Sequence, residues 1–150
     1  MYHMIVRSKL RNAFAQLSRG NYGAVLKDLA PEFEHLFFGD HTFGGTRHTV
    51  SSFRNWLQRL FEVFPDLTFE VRNILVRGWP WDTVAAVEWI DRASTRDGAG
   101  YVNNGVHIIR LRWVRVVELR AYHDTQRLAD ACRRQAQSGI PQAMAAQIVD

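Results

Sequence analysis

The sequence predicts a single α+β domain in which a long helix lies across one face of a curved, mostly antiparallel sheet. Three consecutive segments, at 83–92, 101–113 and 115–123, alternate in side-chain type with a period of two, as half-buried strands do. A strongly periodic helical segment precedes them and ends before Pro65. Further helical patterns lie towards the two ends of the chain. A cone between the helix and the curved sheet would be a natural ligand site.

Length and composition indicate how the chain is organised. Its 150 residues, 47% of them hydrophobic and 23% charged, suit one globular domain over 1–150, with a core at about 4–138 and a tail at 139–150. No segment approaches the roughly 20 apolar residues that span a bilayer. The first residues include Arg7, Lys9 and Arg11 and so lack the apolar centre of a signal peptide. We therefore expect a cytoplasmic protein without a membrane partner.

Charge and cysteine content argue against several functional classes. The net charge is a mild +4 and the arginines are scattered, whereas a nucleic-acid-binding surface is typically a clustered basic patch. The single Cys132 excludes an internal disulfide and a cysteine-based zinc cluster, and its helical surroundings indicate a buried structural thiol. The histidines match no metal-binding spacing. We expect no nucleic acid, no metal and no cofactor.

Two helices are predicted at the start of the chain. Residues 4–19 carry an apolar stripe with helical period, which ends at Gly20. Asn21 then caps a short helix that includes Leu29 and stops before Pro31.

A strand, a loop and the long helix follow. Residues 32–38 alternate as a strand, and one face of it carries Phe33, His35 and Phe37. The glycine-rich segment 39–45 predicts a loop, interpreted either as a turn that packs Phe43 or as part of an active-site mouth. The long helix is predicted to begin after Thr49 or Ser51, and the strand at 67–76 follows it.

The turns between the remaining strands differ in residue type. The turn at 78–82 contains Trp79 and Trp81, which we interpret as packed side chains because no basic groove accompanies them. Residues 96–100 are a glycine-containing hairpin connection, whereas the tight turn near 112–114 lacks the usual glycine.

The chain is predicted to end in a helix and a tail. Asp124 is the expected N-cap of a helix from Thr125 to about Ser138, ended by Gly139. The mildly apolar tail to Asp150 is expected to cover a subunit contact or to be disordered.

Four short motifs occur in order along the chain: LAPEFEHLFFGDH, FPDLTFEV, WDTVAAVEWID and RVVELRAYHDTQ. With this order of motifs and segments, the chain from Val6 to about Gln137 resembles the SnoaL-like branch of the nuclear transport factor 2-like superfamily. The resemblance implies a cystatin-like, cone-shaped roll whose curved mixed sheet wraps around the long helix, with a homodimer formed through the outer sheet face. The superfamily includes polyketide cyclases, ketosteroid isomerase, scytalone dehydratase, limonene epoxide hydrolase and non-catalytic binding modules, so the site must decide the function.

The sequence departs from the family's catalytic patterns at two positions. The run VEWID resembles the Glu-Arg-x-Asp strand of the epoxide hydrolases and keeps its aspartate as Asp91, but Trp89 replaces the arginine. The second aspartate of those hydrolases and of the SnoaL-type cyclases lies three residues before the closing aspartate, Asp124, where this chain has Ala121. The acid–base mechanism of either family therefore cannot be transferred unchanged.

The candidate site consists of the inward-facing polar residues. If Asp91 faces inward, the alternation of the next strand also places Asn103 and His107 inward. We assign acid–base roles to His107 and Asp91, with the carboxylate holding the imidazole in one tautomer. His107 also lies where the cyclases tend to carry a histidine. The candidate substrate-binding residues are His35, Asn103, Trp89, Phe37, Trp56 and His123.

Each of these residues also has a structural interpretation. A lone histidine on an apolar face is commonly a hydrogen-bonded core residue, and Asp91 could pair with Arg92 or with an arginine of a neighbouring strand. Asp124 is interpreted as a helix cap, and Trp56 and Trp89 as pocket wall or core.

The expected function is the binding of a small hydrophobic carbonyl compound. If the protein is an enzyme, the chemistry expected is cofactor-independent proton transfer, as in cyclisation, isomerisation or dehydration. The alternatives are a non-catalytic ligand-binding or dimerisation module of the same fold and, third, an epoxide hydrolase-like enzyme. A cone filled by its own aromatic side chains favours the module, and a cavity reached by the imidazoles favours the enzyme.

Overall fold

The computed structural model describes residues 1–150, which fold into four helices around one open, six-stranded sheet. The helices are α1 (Tyr2–Leu17), α2 (Gly23–Leu26), α3 (Val50–Val63) and α4 (Thr125–Gln137). The strands are β1 (Leu29–Phe37), β2 (Gly45–Arg47), β3 (Thr68–Trp79), β4 (Asp82–Ala93), β5 (Tyr101–Arg112) and β6 (Arg115–His123). The order across the sheet is β2-β1-β6-β5-β4-β3, and only β1 and β6 are parallel. The predicted α+β roll with a mixed, mostly antiparallel sheet is confirmed.

The cap predicted at Asp124 is confirmed, and of the two residues predicted to cap the long helix the structure uses Thr49. Thr49 accepts a hydrogen bond from the backbone N–H of Ser52 at the start of α3, and Asp124 accepts one from Arg127 at the start of α4. Both caps satisfy backbone donors that a helix leaves unpaired in its first turn. The apolar side of α3 then packs against the inner face of the sheet, where Phe53, Trp56 and Leu57 are buried. This layer encloses the core.

Two boundaries in the N-terminal third were predicted wrongly. Leu29 begins β1 instead of ending α2, since its strand continues through Pro31 and pairs with β6 at Val116. Pro31 is tolerated because β1 is irregular there: the pairing with β6 shifts register between Leu29 and Glu34. The predicted loop at 39–45 also leads directly into β2, which pairs with the end of β1.

The tail packs against its own chain. Pro141–Met144 form a 3-10 helix, and Ile140 and Ala143 are buried in the core, which therefore extends beyond the predicted limit at 138. The carboxylate of Asp150 accepts hydrogen bonds from the backbone N–H groups of His48 and Thr49, at the N-terminal end of α3. The tail thus covers the loop between β1 and α3.

None of the four helices has the length and apolar content that crossing a lipid bilayer requires.

Candidate functional site

A mostly apolar cavity of about 90 Å³ lies between the inner sheet face and helices α1 and α3. Four polar side chains of the sheet reach its wall: His35, Asp91, Tyr101 and His107. The ion pair between Lys9 and Asp28 (2.8 Å) also contributes to the lining, and its side chains are 28% and 35% exposed. These two residues therefore mark the side on which the cavity approaches solvent, between α1 and the start of β1.

Strand register brings the polar groups to one face. Opposite one another on β4 and β5 are Asp91 and Asn103, Trp89 and Gly105, and Val87 and His107. A residue with a side chain at Gly105 would not fit, since an added Cβ would lie 2.5 Å from the Trp89 ring. Gly105 thus leaves room for the indole of Trp89, which contacts His107.

His107 is held by Trp89. The indole Nε1–H of Trp89 donates a hydrogen bond to Nδ1 of His107 at 2.7 Å. An indole nitrogen can only donate, so Nδ1 of His107 carries no proton and the neutral ring carries its proton on Nε2. Burial, with a smaller contribution from His123, lowers the pKa of His107 to about 3. His107 is therefore a neutral N–H donor at the cavity wall, and its Nε2 has no hydrogen-bond partner in the protein.

The tautomer of His35 is fixed in the same way, by a hydrogen bond from a buried arginine. Nε of Arg47 donates to Nδ1 of His35 at 2.9 Å, so the proton of this ring also lies on Nε2. Burial first, and the charge of Arg47 second, lower the pKa of His35 well below its ordinary value. Arg47 is itself 0% exposed, and its remaining N–H groups donate to the carbonyls of Phe43, Gly44, Gly45 and Ile148.

Asp91 is the one carboxyl group in the cavity interior. It is 7% exposed, and its Oδ1 makes no hydrogen bond. Burial raises its pKa to about 7, although the backbone N–H groups of Asp91 and Asn103 and the nearby hydroxyl of Tyr101 oppose the shift. Nδ2 of Asn103 donates to the Tyr101 hydroxyl at 3.0 Å, which leaves the hydroxyl proton free to point towards the carboxylate.

The pairing predicted between Asp91 and His107 is wrong, because the structure gives each of them another partner. They are offset by four residues along the paired strands, or roughly 13 Å at the rise of a β-strand. Trp89 lies between them and occupies Nδ1 of the imidazole. The arginine pairing considered for Asp91 does not form either. A molecule in the cavity, instead of a direct hydrogen bond, would have to connect the two groups.

Some of the other predicted residues line the cavity, and the rest lie behind the lining residues. Phe37 and Trp56 line the cavity, as expected. Asn103 is buried and supports Tyr101 and the carbonyl of Asp124, so its amide N–H groups are already used. His123 lies outside the lining, behind the ring of Phe37 at a centroid distance of 4.5 Å.

His123 belongs to a second imidazole pair. Its Nε2 lies 3.4 Å from Nε2 of His41, and burial, followed by the influence of His41, lowers its pKa to about 4. No group of three histidine, cysteine, aspartate or glutamate side chains is arranged to hold a metal ion.

Sequence reasoning missed two residues of the site. Tyr101 could have been found, because the inward alternation of Asn103 and His107 extends two residues back to it. No pattern in the sequence indicates Arg47. It lies in a three-residue strand after a glycine pair, and only the folding of the loop and tail around it reveals its role.

Comparison with known protein families assigns the chain to one family. The sequence model of the SnoaL-like domain matches residues 10–119. The chain belongs to the SnoaL-like domain family. No match was found among curated protein sequences.

Solved structures share the fold at low identity. A nuclear transport factor 2-like protein of unknown function from Burkholderia pseudomallei is 18% identical, with a TM-score of 0.73 over 83% of this chain and 95% of that one. A candidate SnoaL-like polyketide cyclase from Jannaschia is 20% identical (TM-score 0.65; 87% and 91% covered). IdmH from Streptomyces antibioticus, a candidate polyketide cyclase, is 16% identical (TM-score 0.67; 83% and 96% covered). These similarities establish a SnoaL-like fold, and the activity must be argued from the cavity.

Proposed function

We propose that this SnoaL-like protein is a cofactor-independent enzyme that moves a proton next to the carbonyl group of a small hydrophobic compound. One observation carries the proposal: a buried carboxyl group, whose Oδ1 makes no hydrogen bond, and two neutral imidazole N–H donors line the same apolar cavity. This combination suits a reaction in which a proton leaves carbon while negative charge develops on oxygen.

Asp91 is the proposed base. A catalytic base is most effective when its pKa lies near the working pH, and burial brings the pKa of Asp91 to about 7. The carboxylate takes a proton from the carbon next to the carbonyl, and the electron pair of the broken C–H bond moves to the carbonyl oxygen as an enolate. The protonated Asp91 then returns its proton to a carbon or an oxygen atom of the intermediate.

His107 and His35 are the proposed donors to the enolate oxygen. Each has its Nδ1 occupied by a donor that keeps the proton on Nε2, so neither ring needs to reorganise when charge develops. Their lowered pKa values keep the rings neutral, so they hydrogen-bond the oxygen without first losing a proton to Asp91. The acid–base role expected for His107 from the sequence thereby becomes the role of a donor.

Isomerisation or cyclisation suits a site with a single carboxyl group. Ala121, which is 0% exposed, stands at the position of the family's second carboxylate, so one group must both remove and return the proton. Movement of a double bond needs only that, and an enolate that attacks a second carbonyl of the same molecule forms a ring in the same way. An epoxide hydrolase mechanism lacks its second carboxylate here.

The size of the cavity favours a second candidate, a non-catalytic binding module. Ligand pockets typically enclose about 300–1,000 Å³, whereas this cavity encloses about 90 Å³. A ligand larger than a few heavy atoms would need aromatic lining residues such as Phe14 and Phe69 to move. The module would hold the ligand by apolar contact alone, with Asp91 and the histidines as passive wall.

Hydrogen–deuterium exchange separates the two candidates without knowledge of the natural substrate. The protein is incubated in D₂O at pH 8 with a panel of small cyclic ketones and enones, and loss of the signals of protons next to the carbonyl is followed by NMR. Proton abstraction by Asp91 predicts exchange faster than in buffer, with a rate that rises with pH and levels above about 7.

Two aspartate variants provide the comparison. Asp91→Asn should lower the exchange rate by a factor of about 10²–10⁴, the usual contribution of a positioned base. Asp130→Asn, at an exposed position on α4, is the matched control and should leave the rate unchanged. Ketones that shift the imidazole resonances of His107 and do not exchange would support the binding module and contradict the enzyme.

A further inference from the structure

Three tryptophan side chains are exposed at the ends of two neighbouring hairpins. Trp79 and Trp81, in the turn between β3 and β4, are 63% and 56% exposed, and Trp113, between β5 and β6, is 66% exposed. The interpretation of Trp79 and Trp81 as packed residues is therefore wrong. The ring of Trp81 lies 6.2 Å from that of Trp79 and 6.4 Å from that of Trp113, so the three indoles form one continuous surface.

The fold holds this surface in place at a cost in backbone strain. Trp113 and Val114 both have positive φ angles, +50° and +61°, in the tight turn that contains no glycine. Such a conformation is unusual for bulky or β-branched residues and is commonly found where a side chain serves a function. The backbone N–H of Trp113 also donates to the carbonyl of Pro80 at 2.6 Å, which ties the two hairpin ends together.

Unpaired arginines surround the indoles. Arg77, Arg112 and Arg115 are exposed and form no ion pair, and the one carboxylate among them, Asp82, is already paired with Arg110 at 2.7 Å. We call Trp79, Trp81, Trp113 and Val114, together with Arg77, Arg112 and Arg115, the tryptophan tip. It combines exposed apolar rings with excess positive charge, although the arginines are scattered in the sequence.

We propose that the tryptophan tip docks on the surface of an anionic lipid bilayer. Indole rings favour the interface between lipid headgroups and acyl chains, and each basic residue near anionic lipid adds to the binding. This inference stands independently of the proposed activity and departs from the expectation that the protein has no membrane partner.

The geometry disfavours the other occupants of such a surface. Two copies of the tip would bring arginine against arginine, which costs free energy. Single-stranded nucleic acid needs a basic groove and free aromatic faces, whereas Trp79 and Trp81 stack on each other with an interplanar angle of 18°. All three indoles are more than half exposed, so they are accessible to a flat lipid surface.

The tip lies next to the side of the cavity that approaches solvent. Nη1 of Arg115 donates to the carbonyl of Lys27 at 2.7 Å, and the backbone N–H of Val116 donates to the carbonyl of Asp28 at 2.8 Å. Asp28 is one of the two partly exposed residues on the side where the cavity approaches solvent. If the proposed function holds, a docked tip would bring that side of the cavity close to the bilayer, where a hydrophobic substrate dissolves.

Vesicle binding tests the proposal on the intact protein. Sedimentation with vesicles of phosphatidylcholine alone is compared with sedimentation with vesicles that also contain the anionic lipid phosphatidylglycerol. We expect binding to the anionic vesicles only, weakening as salt is raised, with a blue shift of tryptophan fluorescence. Equal binding to both compositions, or no binding to either, would overturn the proposal.

Surface variants assign the binding to the tip. Arg77→Gln, Arg112→Gln and Arg115→Gln combined should weaken binding about 100-fold, since each basic residue is worth about fivefold. Trp79→Gln, Trp81→Gln and Trp113→Gln combined should remove the fluorescence shift. The control exchanges three exposed arginines elsewhere, Arg19→Gln, Arg54→Gln and Arg133→Gln, and removes the same charge.

Three results would refute lipid docking. One is vesicle binding that the control variant loses as strongly as the tip variants do. Another is concentration-dependent self-association, by analytical ultracentrifugation, that the tryptophan variants abolish, because it would make a second copy the occupant. The third is capture of a single-stranded oligonucleotide at a concentration at which anionic vesicles are not bound.

Discussion

The cavity wall and the tryptophan tip use the same two residue types in opposite ways. Trp89 and Arg47 are buried, and each spends its N–H donors on fixed partners, including one histidine ring apiece. Trp113 and Arg112 are exposed and their side chains have no hydrogen-bond partner in the protein. A buried donor is costly to leave unpaired, whereas an exposed one is satisfied by water. Burial, and not residue type, therefore separates a positioning group from a docking group.

The largest difference in stability is expected between substitution of the buried Arg47 and substitution of the exposed Arg112. Arg47→Leu should destabilise the fold by about 3–5 kcal/mol, because it removes the partner of four carbonyls, two of them fully buried, and of His35. Arg112→Gln should change the free energy of unfolding by less than about 0.5 kcal/mol. Urea denaturation followed by circular dichroism measures both. Similar values for the two variants would show that burial does not separate the roles of Arg47 and Arg112.

Ionisation of Asp91, the carboxyl group in the cavity, should destabilise the folded state as the pH rises. Its pKa is about 7 in the folded protein against an ordinary 3.8, so the folded state holds this proton more tightly and loses that advantage as pH rises from about 4 to 7. Asp91→Asn should therefore stabilise the protein at pH 8 by up to about 4 kcal/mol relative to its effect at pH 4. Urea denaturation at the two pH values measures the change, with Asp130→Asn as the control. A constant difference between wild type and variant would contradict a raised pKa.

The hydrogen bond between Trp89 and His107 should contribute less to the free energy of unfolding than Arg47 does. Trp89→Phe keeps the aromatic packing but removes the Nε1–H donor, and an unpaired buried acceptor costs about 1–3 kcal/mol. The ¹⁵N shifts of His107 should then report a mixture of tautomers, where wild type shows the proton on Nε2 alone. Loss of stability without any change of tautomer would mean that Trp89 only fills space.

The smallest expected change in stability is at the tryptophan tip, where a substitution should stabilise the protein. Val114→Gly should stabilise the protein by about 1 kcal/mol, because glycine adopts a positive φ angle without strain. A chain of this size should then melt roughly 2–4 °C higher. Differential scanning calorimetry measures the shift, and Val116→Gly, in the adjoining strand, is expected to destabilise. A lower melting temperature for Val114→Gly would show that the turn is not strained.

Local pattern alone determined the class of this fold and the inward face of its sheet. Period-two alternation placed Asp91, Asn103 and His107 on one face, and the caps were predicted at Asp124 and at one of two residues that include Thr49, because these signals depend on neighbours only a few residues away. The four family motifs supported the same architecture, and the match of the SnoaL-like domain to residues 10–119 agrees with them.

Only the tertiary structure decided which groups meet and which face water. The partner of His107 depends on the register of two strands and on the absence of a side chain at Gly105, and the burial of Arg47 depends on a tail about 100 residues away in the chain. The exposure of Trp79 and Trp81 was likewise hidden, since an aromatic residue in a turn looks the same whether it packs or protrudes. Proton positions follow these contacts, because hydrogen bonding and burial, which set tautomer and pKa, arise between residues distant in sequence.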